Sequence, residues 1–368
     1  MKERSPPRSR RSNPEASPLI PAHLQPRRLL IVRLSAIGDL VMSMPLLPML
    51  RRSYPGAHLA WLVQEPGAEL LQGHPDLDEV LVWPRGRWRA LRRAGRWGQW
   101  GRELGALRTR LRGFDTVLDL QGLLKSAVWA RLTGAGRRIG LRPREGSAWL
   151  FTARVEPPDG DPRMGSEYRH LAGVLGLAGE FRPHLPLDEE TLDAARRLVA
   201  GETPYVAFCP FTTRPQKHWF AGRWAALAEG VRRRLGLGGV LLGGPGDRAA
   251  AQAIAAACRV PLGNLAGRTG LREAAAVIRG ARALVGVDTG LTHMAAAVGT
   301  PSVALFGATR PYLETGTPAA RVLYRDLPCA PCRRRPTCGG RHHCMAALET
   351  DQVLAELASL LEETCPAP

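Results

Sequence analysis

No run of apolar residues in this 368-residue chain approaches the ~20 needed for a helix to cross a bilayer, which excludes an α-helical membrane protein. No apolar segment follows the basic, Pro/Ser-rich N-terminus, so a secretory signal is not expected and the chain reads as cytoplasmic. Lysine is nearly missing: Lys2, Lys125 and Lys217 are the only three among 51 Lys and Arg. Repeats at solenoid periods are lacking, which excludes a stacked-repeat architecture. Of seven cysteines, Cys209, Cys258 and Cys365 are scattered and Cys329, Cys332, Cys338 and Cys344 are bunched, which is not the framework of an oxidised secreted scaffold. No Gly-x-Gly-x-x-Gly turn follows Leu34, which argues against a dinucleotide-binding dehydrogenase.

What is present is cationic and periodic. The net charge is +18, and it is clustered: residues 1–28 hold seven Lys/Arg against two Glu, and residues 85–112 hold ten Arg against one Glu. Arginine-rich codon usage accounts for a high total but not for clustering. A clustered basic surface implies an anionic partner, whether a phosphorylated glycolipid, an acidic membrane or a nucleic acid. The hydrophobic fraction of 45% is that of a folded globular protein, and the length suits two α/β domains.

Strand and helix signals alternate along the chain. Leu29 to Leu34 is a short, nearly continuous apolar run, suited to a buried parallel strand. Further strands are expected at 58–63, 80–83 and 116–120. Residues 88–112 read as one helix, with Trp97, Trp100, Leu104, Leu107 and Leu111 at core spacing, and a helix begins at Leu123. A Pro-containing stretch near 180–190 reads as a crossing between domains. Beyond it the rhythm restarts, with strands at 205–209, 239–242, 283–287 and 302–306 and helices at 189–200, 221–234, 247–257, 271–280 and 291–298. A last helix, 350–363, is expected to pack back across the first domain. The expected division is a disordered tail (1–27), two Rossmann-like domains (28–185 and 186–345), and a C-terminal helix with its tail (346–368). Two doubly wound sheets then face each other across a cleft.

Four strand-to-helix turns carry residues that packing alone does not require, where open parallel sheets bind ligands. In Ser35-Ala36-Ile37-Gly38-Asp39, Asp39 reads either as a helix N-cap or as a carboxylate at the cleft mouth that takes a proton from an acceptor hydroxyl. The loop Thr212-Thr213-Arg214-Pro215-Gln216-Lys217-His218-Trp219 gathers two hydroxyls and two cations, and Lys217 suits a diphosphate oxygen as a point charge. Gly243-Gly244-Pro245-Gly246-Asp247 allows close backbone approach to a phosphate or ribose. In Asp288-Thr289-Gly290-Leu291-Thr292-His293 the amides of a helix N-terminus face an anion, and His293 either donates to phosphate or packs. A helix start, a lysine and hydroxyls on neighbouring turns together describe a diphosphate site.

These motifs, in this order, resemble glycosyltransferase family 9, the ADP-heptose:lipopolysaccharide heptosyltransferases, and the match extends from about residue 28. Arg87-Trp88-Arg89, Asp119-Leu120-Gln121-Gly122-Leu123-Leu124-Lys125-Ser126-Ala127 and Arg144-Glu145 look most like heptosyltransferase I. The resemblance implies a GT-B fold, with the acceptor on the first domain and ADP-heptose on the second, and no metal in catalysis. Asp39 matches the family's general base. Thr212, Thr213, Lys217, Gly243, Gly244 and the turn from Asp288 to His293 match the donor site. Ser35, Gly38, Arg87, Arg89, Gln121, Lys125, Arg144 and Arg154 fall where the acceptor would lie, a Kdo-lipid A glycolipid at the cytoplasmic face of the inner membrane. An arginine-lined surface facing phosphorylated lipid explains the 85–112 charge, and no nucleic-acid module signature accompanies it. The Gly243–Asp247 turn lacks the glutamate that heptosyltransferase I places there for the ribose. The four bunched cysteines look more like heptosyltransferase II; they read either as a structural zinc or iron site or as free thiols.

Overall fold

The computed structural model describes residues 19–20, 25–201, 204–309, 311–317, 319–332 and 335–364. Most of the expected basic tail, residues 1–18 and 21–24, lies outside the described residues, as does Cys365. Leu19 and Ile20 correct that expectation in part: Leu19 donates its amide to the Val174 carbonyl at 3.2 Å, and Ile20 is buried in the core.

Among the described residues, twelve strands build two parallel sheets. The first contains β1 (Arg28–Val32), β2 (His58–Gln64), β3 (Glu79–Trp83), β4 (Thr116–Asp119), β5 (Arg137–Leu141) and β6 (Ala153–Val155). The second contains β7 (Tyr205–Cys209), β8 (Gly238–Leu241), β9 (Gly263–Asn264), β10 (Ala283–Val287), β11 (Ser302–Leu305) and β12 (Ala320–Leu323). Their orders are β3-β2-β1-β4-β5-β6 and β12-β11-β10-β7-β8-β9. Renumbered from its own first strand, the second sheet has the same order as the first, the doubly wound arrangement. Central strands such as Leu29–Val32 and Tyr205–Cys209 are buried throughout, because helices cover both faces of a parallel sheet.

Each sheet has one point where the winding reverses, between β1 and β4 in the first and between β7 and β10 in the second. Register sets Val32 beside both Leu62 and Asp119, and Gly286 beside Cys209. The turns after these four strands therefore open at the two reversal crevices. They are the turns that carry Asp39, Gln121, Lys217 and Asp288.

The two units touch closely. The helix Ile37–Ser43 packs against the helix Gly290–Val298, and one apolar cluster runs through both units, joining Leu40, Val41 and Met44 to Met294, Ala295 and Ala297. Glycine makes the approach feasible: a Cβ on Gly38 would sit 2.4 Å from His293 Cδ2, and one on Gly290 2.7 Å from Ile37 Cγ2. Leu271 donates its amide to Glu69 Oε2 at 2.6 Å, Arg272 reaches the Gln72 carbonyl at 2.9 Å, and Leu313 donates to the Pro162 carbonyl at 2.8 Å.

Three expectations need correction. Residues 88–112 form not one helix but two, Arg85–Arg93 and Trp97–Arg110, broken at Gly95, whose φ of +69° is a left-handed conformation that ends a helix. Trp97 is 58% exposed rather than core. The last helix, Thr350–Thr364, does not cross to the first unit. Val353, Leu354, Leu357 and Leu360 are buried with Trp224 and the β10–β11 apolar face, so it completes the second unit.

Candidate functional site

The first half of the site grows from the ends of β1 and β4. Arg33 directly follows β1 and is almost wholly buried. Its guanidinium pairs with the half-exposed Asp39 carboxylate, donates to the Leu120 carbonyl at 2.5 Å, and lies 5.8 Å from the centre of the Tyr168 ring. Burial alone would lower the Arg33 pKa, but Tyr168, Asp39 and Glu167 outweigh it and leave it raised. Asp39 sits in the first turn of the helix Ile37–Ser43 and accepts from the Ala36 amide at 3.3 Å. It is therefore a helix-start acceptor whose carboxylate stays partly exposed.

Ser35, Gln121 and Lys125 stand beside it as one bonded group. Gln121 Nε2 and Lys125 Nζ lie 3.5 and 3.4 Å from Ser35 Oγ, while Gln121 Oε1 accepts from the Leu34 amide at 3.1 Å. Burial lowers the Lys125 pKa, with Arg85 adding to the effect. Below them Asp119 is fully buried. Its Oδ1 accepts from the amides of Gln121 and Gly122 at 2.8 and 2.9 Å, but Oδ2 has no partner. Burial pushes its carboxyl from 3.8 up to about 6 against the pull of these amides. Gly122, at φ +65°, is required here, because a Cβ would meet the Leu141 carbonyl oxygen at 2.3 Å.

The second half grows from β7 and β10. Asp288 directly follows β10 and is paired with Lys217, accepts from the Thr309 hydroxyl, and lies 3.5 Å from His293 Nε2. Burial alone would raise its pKa, yet His293 and Lys217 hold it well below the ordinary carboxylate range. His293 Nδ1 is 2.8 Å from the Tyr312 hydroxyl, whose proton burial makes very hard to remove. The histidine is thus pinned from both sides, and its ring packs against the Gly38 backbone. Thr289, Gly290 and Leu291 open the helix Gly290–Val298 and line a cavity of about 320 Å³ with Gly243, Gly244 and Phe211. Glu69 and Ile37 of the first unit close its other side.

Some expected residues stand elsewhere. The Thr292 side chain faces inward, its hydroxyl donating to the Val287 carbonyl at 2.6 Å, and its amide donates to the Thr289 carbonyl at 3.1 Å, so neither is left for a ligand. Asp247 turns back to the Gly244 amide at 2.8 Å while still lining the cavity. Arg87 is held by Glu103, its Nη2 2.8 Å from Oε1, on an exposed helix. Arg89 and Arg144 are exposed, Arg144 donating its amide to the Gly122 carbonyl at 2.7 Å, and Arg154 reaches the Ala148 carbonyl at 3.1 Å. Thr212 is half-buried and Thr213 exposed in the loop that carries Lys217, where the Thr212 carbonyl lies 2.8 Å from His218 Nε2.

Cys329, Cys332, Cys338 and Cys344 are free, and among the described residues no three His, Cys, Asp or Glu side chains gather as metal ligands. Burial raises the Cys332 thiol pKa. At Cys338 the amides of His342 and His343 outweigh burial and lower it.

Sequence reasoning missed Arg33, Tyr168, Tyr312, Thr309 and Glu69. Arg33 alone had a readable signal, a charge inside the run Leu29-Leu30-Ile31-Val32-Arg33-Leu34.

A carboxylate and an anion cradle at the reversal points of two facing doubly wound sheets define a GT-B glycosyltransferase. Residues 104–342 match the family model "Glycosyltransferase family 9 (heptosyltransferase)", and the chain belongs to that family. It is 33% identical over 327 residues to lipopolysaccharide heptosyltransferase 1 of Pseudomonas aeruginosa, covering 84% of this chain and 87% of the relative. It is 30% identical over 356 residues to lipopolysaccharide heptosyltransferase 2 of Salmonella typhimurium, covering 91% and 99%. The solved structure of E. coli ADP-heptose lps heptosyltransferase II superposes with a TM-score of 0.72 at 27% identity, covering 92% of this chain and 99% of that one.

Proposed function

We propose that this chain transfers a heptose from ADP-L-glycero-β-D-manno-heptose to the Kdo sugar of Kdo-lipid A, the heptosyltransferase I step of lipopolysaccharide inner-core assembly, at the cytoplasmic face of the inner membrane. The observation that supports this reading is the close approach of Gly38 to His293, which brings the helix bearing Asp39 against the helix that follows Asp288. The higher identity to a type 1 relative and the group of Ser35, Gln121 and Lys125 favour the first heptose over the second.

The diphosphate lies on the Gly290 and Leu291 amides, which have no intrahelical partner at a helix start, with Lys217, Thr212 and Thr213 around it. The 320 Å³ cavity takes the nucleoside end. The acceptor hydroxyl enters over Ser35 and Lys125. Asp39, oriented by Arg33, removes its proton as the anomeric carbon is attacked from the face opposite the departing ADP, which inverts that centre. The cradle stabilises charge on the leaving diphosphate. Both units contribute, so the orientation term arises when they come together.

The test is ADP release on mixing the protein with ADP-heptose and either Kdo2-lipid A or its monoheptosylated form. Release with Kdo2-lipid A is expected; release only with the monoheptosylated form assigns the second step instead. Asp39→Ala should lower turnover roughly 10²- to 10⁴-fold, the usual range for a lost general base, while still binding ADP. Near-normal turnover by that variant would remove Asp39 from its role.

A further inference from the structure

Soluble proteins seldom leave several large apolar side chains exposed side by side, yet this one does so on one face of the first unit. On the helix Leu124–Leu132, Leu124 and Val128 are one turn apart and 42% and 43% exposed. The turn Ser147–Leu150 packs against this helix and carries Trp149, which is 73% exposed. Beneath them is an open groove of about 520 Å³ walled by Trp83, Leu124, Lys125, Val128 and Trp129, with Glu145 as the acid of the lining. Exposed arginines stand on the elements that build it: Arg131 on the same helix, Arg144 beside Glu145, and Arg154, whose Nε reaches the Ala148 carbonyl next to Trp149 at 3.1 Å. Arg85 lies over the Trp83 ring at 5.9 Å.

We propose that this face is the surface through which the protein docks on an anionic lipid bilayer, with Leu124, Val128 and Trp149 entering the interfacial region and the neighbouring arginines meeting headgroup phosphates. The charge complementarity is direct: apolar side chains with tryptophan, flanked by arginine, match a bilayer interface, where apolar burial and attraction to anionic lipid add. Position supports the same occupant. Lys125 both lines the groove and lies 3.4 Å from Ser35 Oγ, so the docking face is continuous with the end of the site that receives the acceptor hydroxyl. No helix among the described residues is long and apolar enough to cross a membrane, so a surface contact is how such a chain reaches a lipid-borne sugar. The inference rests on the reading of a membrane-borne glycolipid acceptor and specifies which face meets the membrane.

The experiment compares the full chain with the Leu124→Ser/Val128→Ser/Trp149→Ser variant, whose changed side chains are exposed and leave the core intact. Binding is measured by co-sedimentation with vesicles of phosphatidylcholine and phosphatidylglycerol, and with phosphatidylcholine alone. The unaltered chain should bind the anionic vesicles and bind the zwitterionic ones far less. The variant should bind the anionic vesicles at least about tenfold more weakly, as expected when three interfacial apolar groups are lost. In parallel, the variant's ADP release should be unchanged with a deacylated, water-soluble acceptor and about tenfold lower with vesicle-embedded acceptor. Equal vesicle binding by the two proteins, or none by the unaltered chain, overturns the proposal. Oligomers of the unaltered chain that the variant loses would assign the face to self-association and overturn it too. Failure of ADP release with every acceptor would strike the transfer reaction alone, since vesicle binding is read independently.

Discussion

At the scale of single residues, the site is governed by which carboxylates have partners. Asp39 has Arg33, and Asp288 has Lys217 and His293. Asp119 is buried with an unpartnered Oδ2, and its pKa rises from 3.8 to about 6. The folded state therefore keeps this proton to higher pH than the unfolded chain does. Between about pH 4 and pH 6 the unfolded chain ionises first and folding stability falls; above about pH 6 the loss is complete and constant. Asp119→Asn, which keeps an oxygen for the Gln121 and Gly122 amides, should escape this loss. Urea midpoints of the variant should gain on the unaltered protein from about pH 4 to pH 6 and then run parallel. A gap that stays constant across that window would show that Asp119 does not titrate there. The sequence displayed Asp39, Lys217 and Asp288 because they stand in turns beside glycines and hydroxyls. It hid Tyr168, Tyr312 and Glu69, because their roles come from tertiary approach and nothing in their local spacing marks them.

At the scale of elements, the junction of two helix starts decides whether the half-sites can meet. Gly38 and Gly290 occupy it, and any side chain on Gly38 meets a histidine ring already fixed by Tyr312 and Asp288. Gly38→Ala should lower turnover at least about tenfold by separating reacting groups and pressing on the His293 ring, since small misplacements are costly. Turnover close to that of the unaltered protein would mean that the closed approach is not needed for reaction. Elements were legible where burial is symmetrical: β1, β2, β7 and β10 read as apolar runs because both faces are covered. The strands β5, β6, β9 and β12 were not, since Arg137-Arg138, Arg154, Gly263-Asn264 and Arg321 break any apolar run at or near the sheet edges. The helix break at Gly95 was missed because leucine spacing continues beyond it. The last helix was misplaced because its apolar stripe states that it is buried but not against which unit.

At the scale of the whole molecule, one apolar cluster spans both units, so heating should melt them together rather than in two steps. ADP, binding the folded state only, should raise that single transition. Lys217→Ala should forfeit most of the ADP-induced rise while leaving the ligand-free transition within a few degrees, which differential scanning calorimetry can read. An unchanged ADP response would exclude Lys217 from the diphosphate site.

The pairing of Lys217 with Asp288 has a consequence for the reaction cycle. Without ligand, the lysine already has a counter-ion from its own cradle, so an arriving diphosphate must compete with a resident carboxylate and cannot simply fill an open charge. On the proposed reading the exchange would run backwards after transfer: Asp288, held ionised by its neighbours, would reclaim the ammonium as the spent nucleotide leaves, a rival anion that never departs from the chain.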